Sequence, residues 1–213
     1  MRSIFSFIVE PKEKRYNNKK QIGDSELILN TEISDHRYIS RNAIVLETPL
    51  SEKTDIKKGD EVIVHHNVFR RWYDVRGKEK NSSSYFEKDK YFITTDQIFL
   101  YKRKDKWHAP KGFCFVKPLK SKNKFDTNNE RPLIGVIKYA DKALEKNGIK
   151  PGTLIGFTPS SEYEFIVEKE RMYRVPTNSI SIKYEYQGDE VEYNPSWLNR
   201  ICAWFKVCTN PCN

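Results

Sequence analysis

Side chains that catalyse reactions or bind metals are present in this chain, but their spacing does not form a recognised site. His65 and His66 are adjacent, and neighbouring residues of a strand point to opposite faces of its sheet. The pair therefore predicts no metal site. Cys202, Cys208 and Cys212 follow the spacing Cys-x5-Cys-x3-Cys, which matches no strong zinc pattern and indicates structural or incidental use.

The remaining reactive residue types are no better arranged. Four glutamates alternate along one stretch as the polar face of a strand would, which predicts no acid/base pair: Glu162, Glu164, Glu168 and Glu170. Neither a Gly-x-x-x-x-Gly-Lys phosphate loop nor a Gly-x-Ser-x-Gly nucleophile elbow occurs in the sequence. We therefore expect a protein that is not an enzyme and that binds neither a metal nor a cofactor.

Composition indicates what kind of scaffold carries these residues. The 213 residues are 38% hydrophobic and 13% aromatic, and Tyr, Phe, Ile and Val in short apolar runs favour a mainly β protein. No apolar stretch is long enough to span a bilayer, and Met1–Glu10 lacks the features of a signal peptide, so we expect a cytoplasmic protein without a membrane partner. The net charge of +9 is compatible with nucleic acid, an acidic protein partner, or simple solubility.

An internal repeat organises the chain. The turn and strand of Ile56–Val64 recur 93 residues later as Ile149–Phe157. Further matches occur in the same order and with similar spacing. They pair Val9-Glu10-Pro11 with Val116-Lys117-Pro118, Ala43-Ile44-Val45 with Gly135-Val136-Ile137, Tyr91-Phe92-Ile93 with Tyr173-Arg174-Val175, and Thr95–Ile98 with Thr177–Ile180.

The repeat predicts two small domains, 1–105 and 106–185, followed by a C-terminal tail, 186–213. A short helix from Ser196 to Val207 is the one element predicted in the tail. The first half has a longer loop after its opening strand and about ten more residues between Val64 and Tyr91; insertions of this kind belong in surface loops.

The repeated unit resembles the chaperonin-10 (GroES-like) co-chaperonin family. Ile56–Val62 is similar to the turn-and-strand signature of that family, and Asp96-Gln97-Ile98 is similar to its closing strand. The resemblance covers residues 4–102 and, more faintly, 111–184. It implies two tandem GroES-like small β-barrels and a homo-oligomeric ring.

In that family a mobile loop after the first strand docks through a hydrophobic tripeptide on the apical domains of the large chaperonin. Leu27, Ile28 and Leu29 stand at the matching position, at the end of the polar segment Lys12–Glu26. The resemblance implies a co-chaperonin that caps a chaperonin ring and assists ATP-dependent folding, with ATP bound by the partner. The alternative is that the three residues begin a core strand.

The second half has no equivalent triplet between Pro118 and Gly135, so one docking loop per chain is expected. Tandem co-chaperonins resemble a chloroplast arrangement, although no plastid transit peptide is recognisable. Short co-chaperonins encoded by tailed phages are the other comparison, and they would place the protein in the host cytoplasm.

Two further hypotheses rest on other features. Phe69–Tyr73, with Arg76 and Lys78 beyond it, interleaves basic and aromatic residues as proteins that bind single-stranded nucleic acid do. The alternative for this segment is a loop that packs on its own barrel or on a neighbouring subunit. A viral structural or decoration protein is the third hypothesis, based on the repeat and the tail.

Overall fold

The computed structural model describes residues 3–17, 19–28, 38–122 and 129–195. The chain divides into two compact units, Met1–Pro110 and Lys111–Asn213. Both are built from β-sheets, which confirms the mainly β class that the composition predicted, and the strands pair antiparallel. Within the described ranges, none of the helices has the length or the apolar run that crossing a bilayer requires.

The first unit contains a seven-stranded sheet and two separate two-stranded hairpins. The sheet order is β11-β10-β5-β4-β1-β9-β8, and the hairpins are β2-β3 and β6-β7. The strands are β1 Phe7–Pro11, β2 Lys19–Ile22, β3 Ser25–Ile28, β4 Asn42–Glu47, β5 Glu61–Val64, β6 Arg71–Tyr73, β7 Glu79–Asn81, β8 Tyr85–Glu87, β9 Lys90–Ile93, β10 Ile98–Arg103 and β11 Lys106–His108.

The second unit contains a six-stranded sheet with the order β15-β16-β12-β13-β14-β17. One short helix, α1, precedes β14, and Asp141 caps it by accepting a 2.8 Å hydrogen bond from the Leu144 amide. The elements are β12 Phe113–Lys120, β13 Glu130–Tyr139, α1 Lys142–Lys146, β14 Leu154–Phe157, β15 Tyr163–Val167, β16 Glu170–Pro176 and β17 Ile180–Tyr184.

The two units share a six-strand frame, which is β8-β9-β1-β4-β5-β10 in the first and β15-β16-β12-β13-β14-β17 in the second. The residues aligned by the sequence repeat take the same register in both frames. Val9 pairs with Val45 and Tyr91, and Val116 pairs with Ile137 and Tyr173. A 3-10 turn precedes the last strand of each frame, at Thr95–Gln97 and Thr177–Ser179.

The hydrophobic cores use matching positions of the frames. Since every second residue of a strand faces the same side, one shared register places the aligned apolar residues in equivalent clusters. The matching buried pairs are Phe7 and Cys114, Val9 and Val116, Val45 and Ile137, Val62 and Ile155, Val64 and Phe157, and Ile93 and Val175.

The turn that leads into the fifth strand of each frame, β5 or β14, has the same backbone hydrogen bond in both units. In the first unit the Gly59 amide donates to the Val45 carbonyl at 2.8 Å; in the second, Gly152 donates to Ile137 at 2.7 Å. Both glycines have φ near that of the third residue of a type II turn, +86° and +88°. This left-handed backbone explains why glycine stands at the same place in both copies.

In the described residues neither sheet is closed by pairing between its two outermost strands. The predicted barrels therefore remain an expectation, and the observed architecture is two antiparallel sheets with a common strand order. The chain after β17 returns along β12, where the Lys120 amide donates to the Val191 carbonyl at 2.8 Å and Leu119 bridges to Glu192. The predicted helix from Ser196 to Val207 lies outside the described residues.

Candidate binding surfaces

The segment that links β1 to β4 carries the first candidate surface, the docking hairpin, formed by β2 and β3 (residues 19–28). The sequence predicted a mobile polar loop here, but residues 19–28 form a hairpin with Lys19 opposite Ile28 and Ile22 opposite Ser25. All four residues of β3 are exposed, and β3 pairs only with β2 in the described residues.

The predicted site residues Leu27 and Ile28 lie in this exposed strand. Their exposed fractions are 50% and 54%, so the alternative that they begin a core strand is wrong for these two residues. Leu29 lies outside the described residues. Ile22, which the sequence did not single out, is 54% exposed. By the pairing register it shares a face of the hairpin with Leu27, whereas Ile28 belongs to the opposite face.

A cross-strand ion pair holds the two strands of the docking hairpin together. Lys19 Nζ lies 2.8 Å from a carboxylate oxygen of Glu26, and this hydrogen bond lowers the pKa of Glu26. The pair is solvent-exposed, and exposed pairs contribute little to stability. The register that puts Ile22 and Leu27 on one face is set by the backbone pairing of β2 with β3, and the ion pair is compatible with it.

The second candidate surface is the basic-aromatic hairpin, formed by β6 and β7 (residues 71–81). Trp72 and Tyr73 are 39% and 57% exposed, and Val75 at the tip is fully exposed. Tyr85 and Phe86, in the strand that follows, are 37% and 40% exposed. These five side chains come from one stretch of the chain, residues 72–86, and expose aromatic and aliphatic surface to solvent.

The base of this hairpin is fastened to the first unit. Arg15 donates from Nε to the Phe69 carbonyl at 3.2 Å and from Nη1 to Asn81 Oδ1 at 2.9 Å, so one side chain bonds to both ends. The Arg71 guanidinium lies 4.6 Å above the Tyr16 ring, and the Arg71 amide donates to the Tyr16 hydroxyl at 2.7 Å. The alternative stated for this segment, a loop that packs on its own unit, therefore describes the base of the hairpin but not its exposed strands and tip.

The tip of the hairpin is also ordered by hydrogen bonds. Asp74 accepts from the amides of Arg76 and Lys78, both at 2.9 Å, and these bonds lower the pKa of its carboxyl group. Gly77 has φ +72° and donates to the Asp74 carbonyl at 2.9 Å, which closes the three-residue loop. The backbone of the tip is therefore fixed, and it places Val75 and Arg76 at the exposed end of the hairpin.

The other residues considered in the sequence have structural surroundings. His65 Nδ1 accepts from the Asn67 amide at 3.1 Å, and its ring stacks on His66 with 4.3 Å between centroids. The prediction that the four glutamates form one strand face is wrong, since Glu164 lies in β15, Glu168 in the following turn and Glu170 in β16. Glu164 and Glu170 form ion pairs with Arg171 and with two lysines, respectively. Across the described ranges, no group of three or more His, Cys, Asp or Glu side chains is placed to hold a metal ion.

Of the cysteines, Cys114 is fully buried, and burial raises the pKa of its thiol to about 12. A thiol held protonated in this way is a poor nucleophile. Cys202, Cys208 and Cys212 lie outside the described residues.

The chain matches no model of a known protein family, and it matches no curated protein.

Proposed function

We propose that this protein is a co-chaperonin-like binding protein that docks on the apical domains of a large chaperonin through the docking hairpin. The observation that carries the proposal is the exposure of Leu27 and Ile28 in a strand that is not part of the main sheet. The family resemblance implies a mobile loop with an exposed apolar tripeptide at this position. The hairpin differs from that loop in being paired, and the exposure of Leu27 and Ile28 is what supports the proposal.

The energetics of such a contact suit a reversible cap. Complete burial of an apolar side chain contributes about 1.5–3 kcal/mol. Ile22 and Leu27 share one face of the docking hairpin and are about half exposed, and the entropy lost on association offsets part of the gain, so one chain alone should bind weakly. Several chains of one ring would bind together, and multivalency raises the overall affinity without a stronger single contact. Release then requires only that the chaperonin weakens each contact slightly.

Pull-down and ATPase measurements with a purified bacterial large chaperonin test the proposal. The wild-type chain should bind in the presence of ATP and change the steady-state ATPase rate of the chaperonin. The variant Leu27→Ser, Ile28→Ser, Leu29→Ser should lose both effects, because three serines remove the apolar surface that fills the partner groove.

Leu50→Ser is the matched control. Leu50 is 61% exposed but lies outside the docking hairpin, so its loss should leave binding intact. Unchanged binding of the triple variant would overturn the assignment of the contact. Absence of any effect of the wild-type chain on the chaperonin would overturn the proposed function itself.

A further inference from the structure

We propose that the basic-aromatic hairpin is a binding site for single-stranded nucleic acid. The inference is independent of the docking hairpin and of the chaperonin. It rests on the position of the hairpin in the fold, on its charge, and on the exposure of its aromatic side chains.

The basic-aromatic hairpin is an addition to the frame. The second unit builds the same six strands with only residues 158–162 between β14 and β15, whereas the first unit has residues 65–84 at the corresponding place. The strand order therefore does not depend on β6 and β7. Contacts at its base and an aspartate at its tip fix the backbone of the hairpin, so less backbone entropy is lost when a ligand binds than for a flexible loop.

The charge of the hairpin fits a polyanion. Residues 70–81 contain five basic side chains and two carboxylates, a net charge of +3. Both carboxylates are engaged within the hairpin, Glu79 with Arg71 at 3.0 Å and Asp74 with the tip amides and Lys80. In the described chain, the exposed Arg70, Arg76 and Lys78 have no carboxylate partner, so they are available to phosphates.

The aromatic side chains favour an unpaired strand over a duplex. Trp72 and Lys80 are opposite partners in the hairpin, so an indole and an ammonium group share one face. An exposed indole offers a plane on which an unstacked base can lie while the cation contacts its phosphate. Bases in a duplex are already stacked and give such a plane no comparable partner.

A membrane surface fits less well. The exposed apolar residue at the tip, Val75, stands between Asp74 and Arg76, and Glu79 lies across from Tyr73. Insertion of this tip into a bilayer would carry carboxylates toward hydrocarbon, which is costly. A nucleic acid contacts the cations and aromatic planes and leaves those carboxylates in water.

Fluorescence polarisation with a labelled oligothymidine of about 20 nucleotides tests the site between about 50 and 200 mM salt. The full-length wild-type chain should bind, with an affinity that falls steeply with salt. Trp72→Ala should weaken binding about 10-fold, because one base loses its stacking partner. The triple variant Arg70→Gln, Arg76→Gln, Lys78→Gln should reduce the slope of log K against log salt by about 2.

A second triple variant, Lys146→Gln, Lys150→Gln, Lys183→Gln, removes the same net charge from exposed positions of the second unit. It should bind nearly as the wild type does, and Leu27→Ser with Ile28→Ser should have no effect. Equal weakening by both charge variants would overturn the site, as would no binding at the lowest salt. Equal affinity for a duplex, or binding to vesicles of anionic phospholipid but not to the oligonucleotide, would also overturn it.

Discussion

Tyr91 and Tyr173 occupy the same position of the two frames but have different surroundings. The Tyr173 hydroxyl donates to Glu130 at 2.7 Å and accepts from Arg171 at 2.6 Å. The Tyr91 hydroxyl is buried and finds no hydrogen-bond partner among the described residues, although the Arg15 guanidinium lies 5.1 Å from its ring centroid. Burial raises the pKa of both phenols, that of Tyr91 to about 12.

The same substitution at these two tyrosines should therefore have unequal effects. Tyr173→Phe removes hydrogen bonds to charged groups and should cost about 1–2 kcal/mol. Tyr91→Phe removes a buried, unpaired hydroxyl and keeps the ring below Arg15, so stability should change by less than about 0.5 kcal/mol or rise slightly. Hydrogen exchange of the β9 and β16 amides at increasing urea concentration measures the free energy of unfolding of each unit separately.

A loss of more than about 1 kcal/mol in Tyr91→Phe would show that this hydroxyl is hydrogen-bonded in solution.

At the scale of elements, the repeated turn is closed by different side chains in the two units. Asp60 accepts from the Lys57 amide at 2.8 Å and also binds the Arg103 guanidinium, with 3.2 Å between Oδ1 and Nε. In the second unit Thr153 accepts from the Lys150 amide at 3.1 Å. The first turn is thus tied to β10 by an ion pair as well as closed by a backbone bond.

Asp60→Ala should destabilise the first unit by about 2–3 kcal/mol, because it removes the side-chain bond to the Lys57 amide and leaves a partly buried arginine without its carboxylate. Thr153→Ala should cost about 1 kcal/mol, since only one neutral hydrogen bond is lost. Hydrogen exchange of β5 and β14 in urea reports each effect. Equal losses at the two positions would contradict the role given to Arg103.

Asp60→Thr separates the two contributions. Threonine can replace the turn bond, as Thr153 does, but it cannot pair with Arg103. The variant should recover part of the loss and leave a deficit of about 1–2 kcal/mol from the ion pair.

The sequence predicted the strands whose apolar residues alternate with polar ones and recur in both halves. It missed the strands that have neither pattern. β1, β5 and β14 were readable because their apolar residues recur in order in both halves. β7, Glu79–Asn81, has no apolar residue, and β2 has one, so periodicity gave no signal for either hairpin. The Gly23-Asp24 pair between β2 and β3 is a turn signal, but the only apolar residues of these strands are Ile22 on one side and the adjacent Leu27 and Ile28 on the other, which is too few for an alternating strand pattern.

For the candidate sites, the sequence located the segments but could not show which of their side chains share a face. Leu27 and Ile28 were identified as one apolar run, yet in a strand adjacent residues face opposite sides, so the shared face is that of Leu27 and Ile22. Likewise Arg71 looked equivalent to Arg70 in sequence. Stacking on Tyr16 and pairing with Glu79 make Arg71 part of the base instead.

At the scale of the whole molecule, one frame is used twice and the exposed hairpins belong to the first unit. If the basic-aromatic hairpin is an addition, replacing Trp72–Lys80 by an Asn-Gly turn should leave the first unit folded. Arg71 and Asn81 are opposite partners, a geometry that a two-residue turn can connect, and Asn81 keeps its bond to Arg15. Tyr73 and Val75 are more than half exposed, so Trp72, at 39% exposed, accounts for most of the apolar area that is lost.

The shortened chain should keep the circular dichroism spectrum of the wild type and lose less than about 1 kcal/mol of stability. Phe69→Ala, at the buried base of the same segment, should by contrast cost about 3–5 kcal/mol, because it opens a cavity beneath Tyr91. Thermal melting distinguishes the two. Unfolding of the first unit in the shortened chain would mean that the hairpin is needed for folding. Retained folding would mean that the six-strand frame folds without the hairpin, which then serves only as a binding surface.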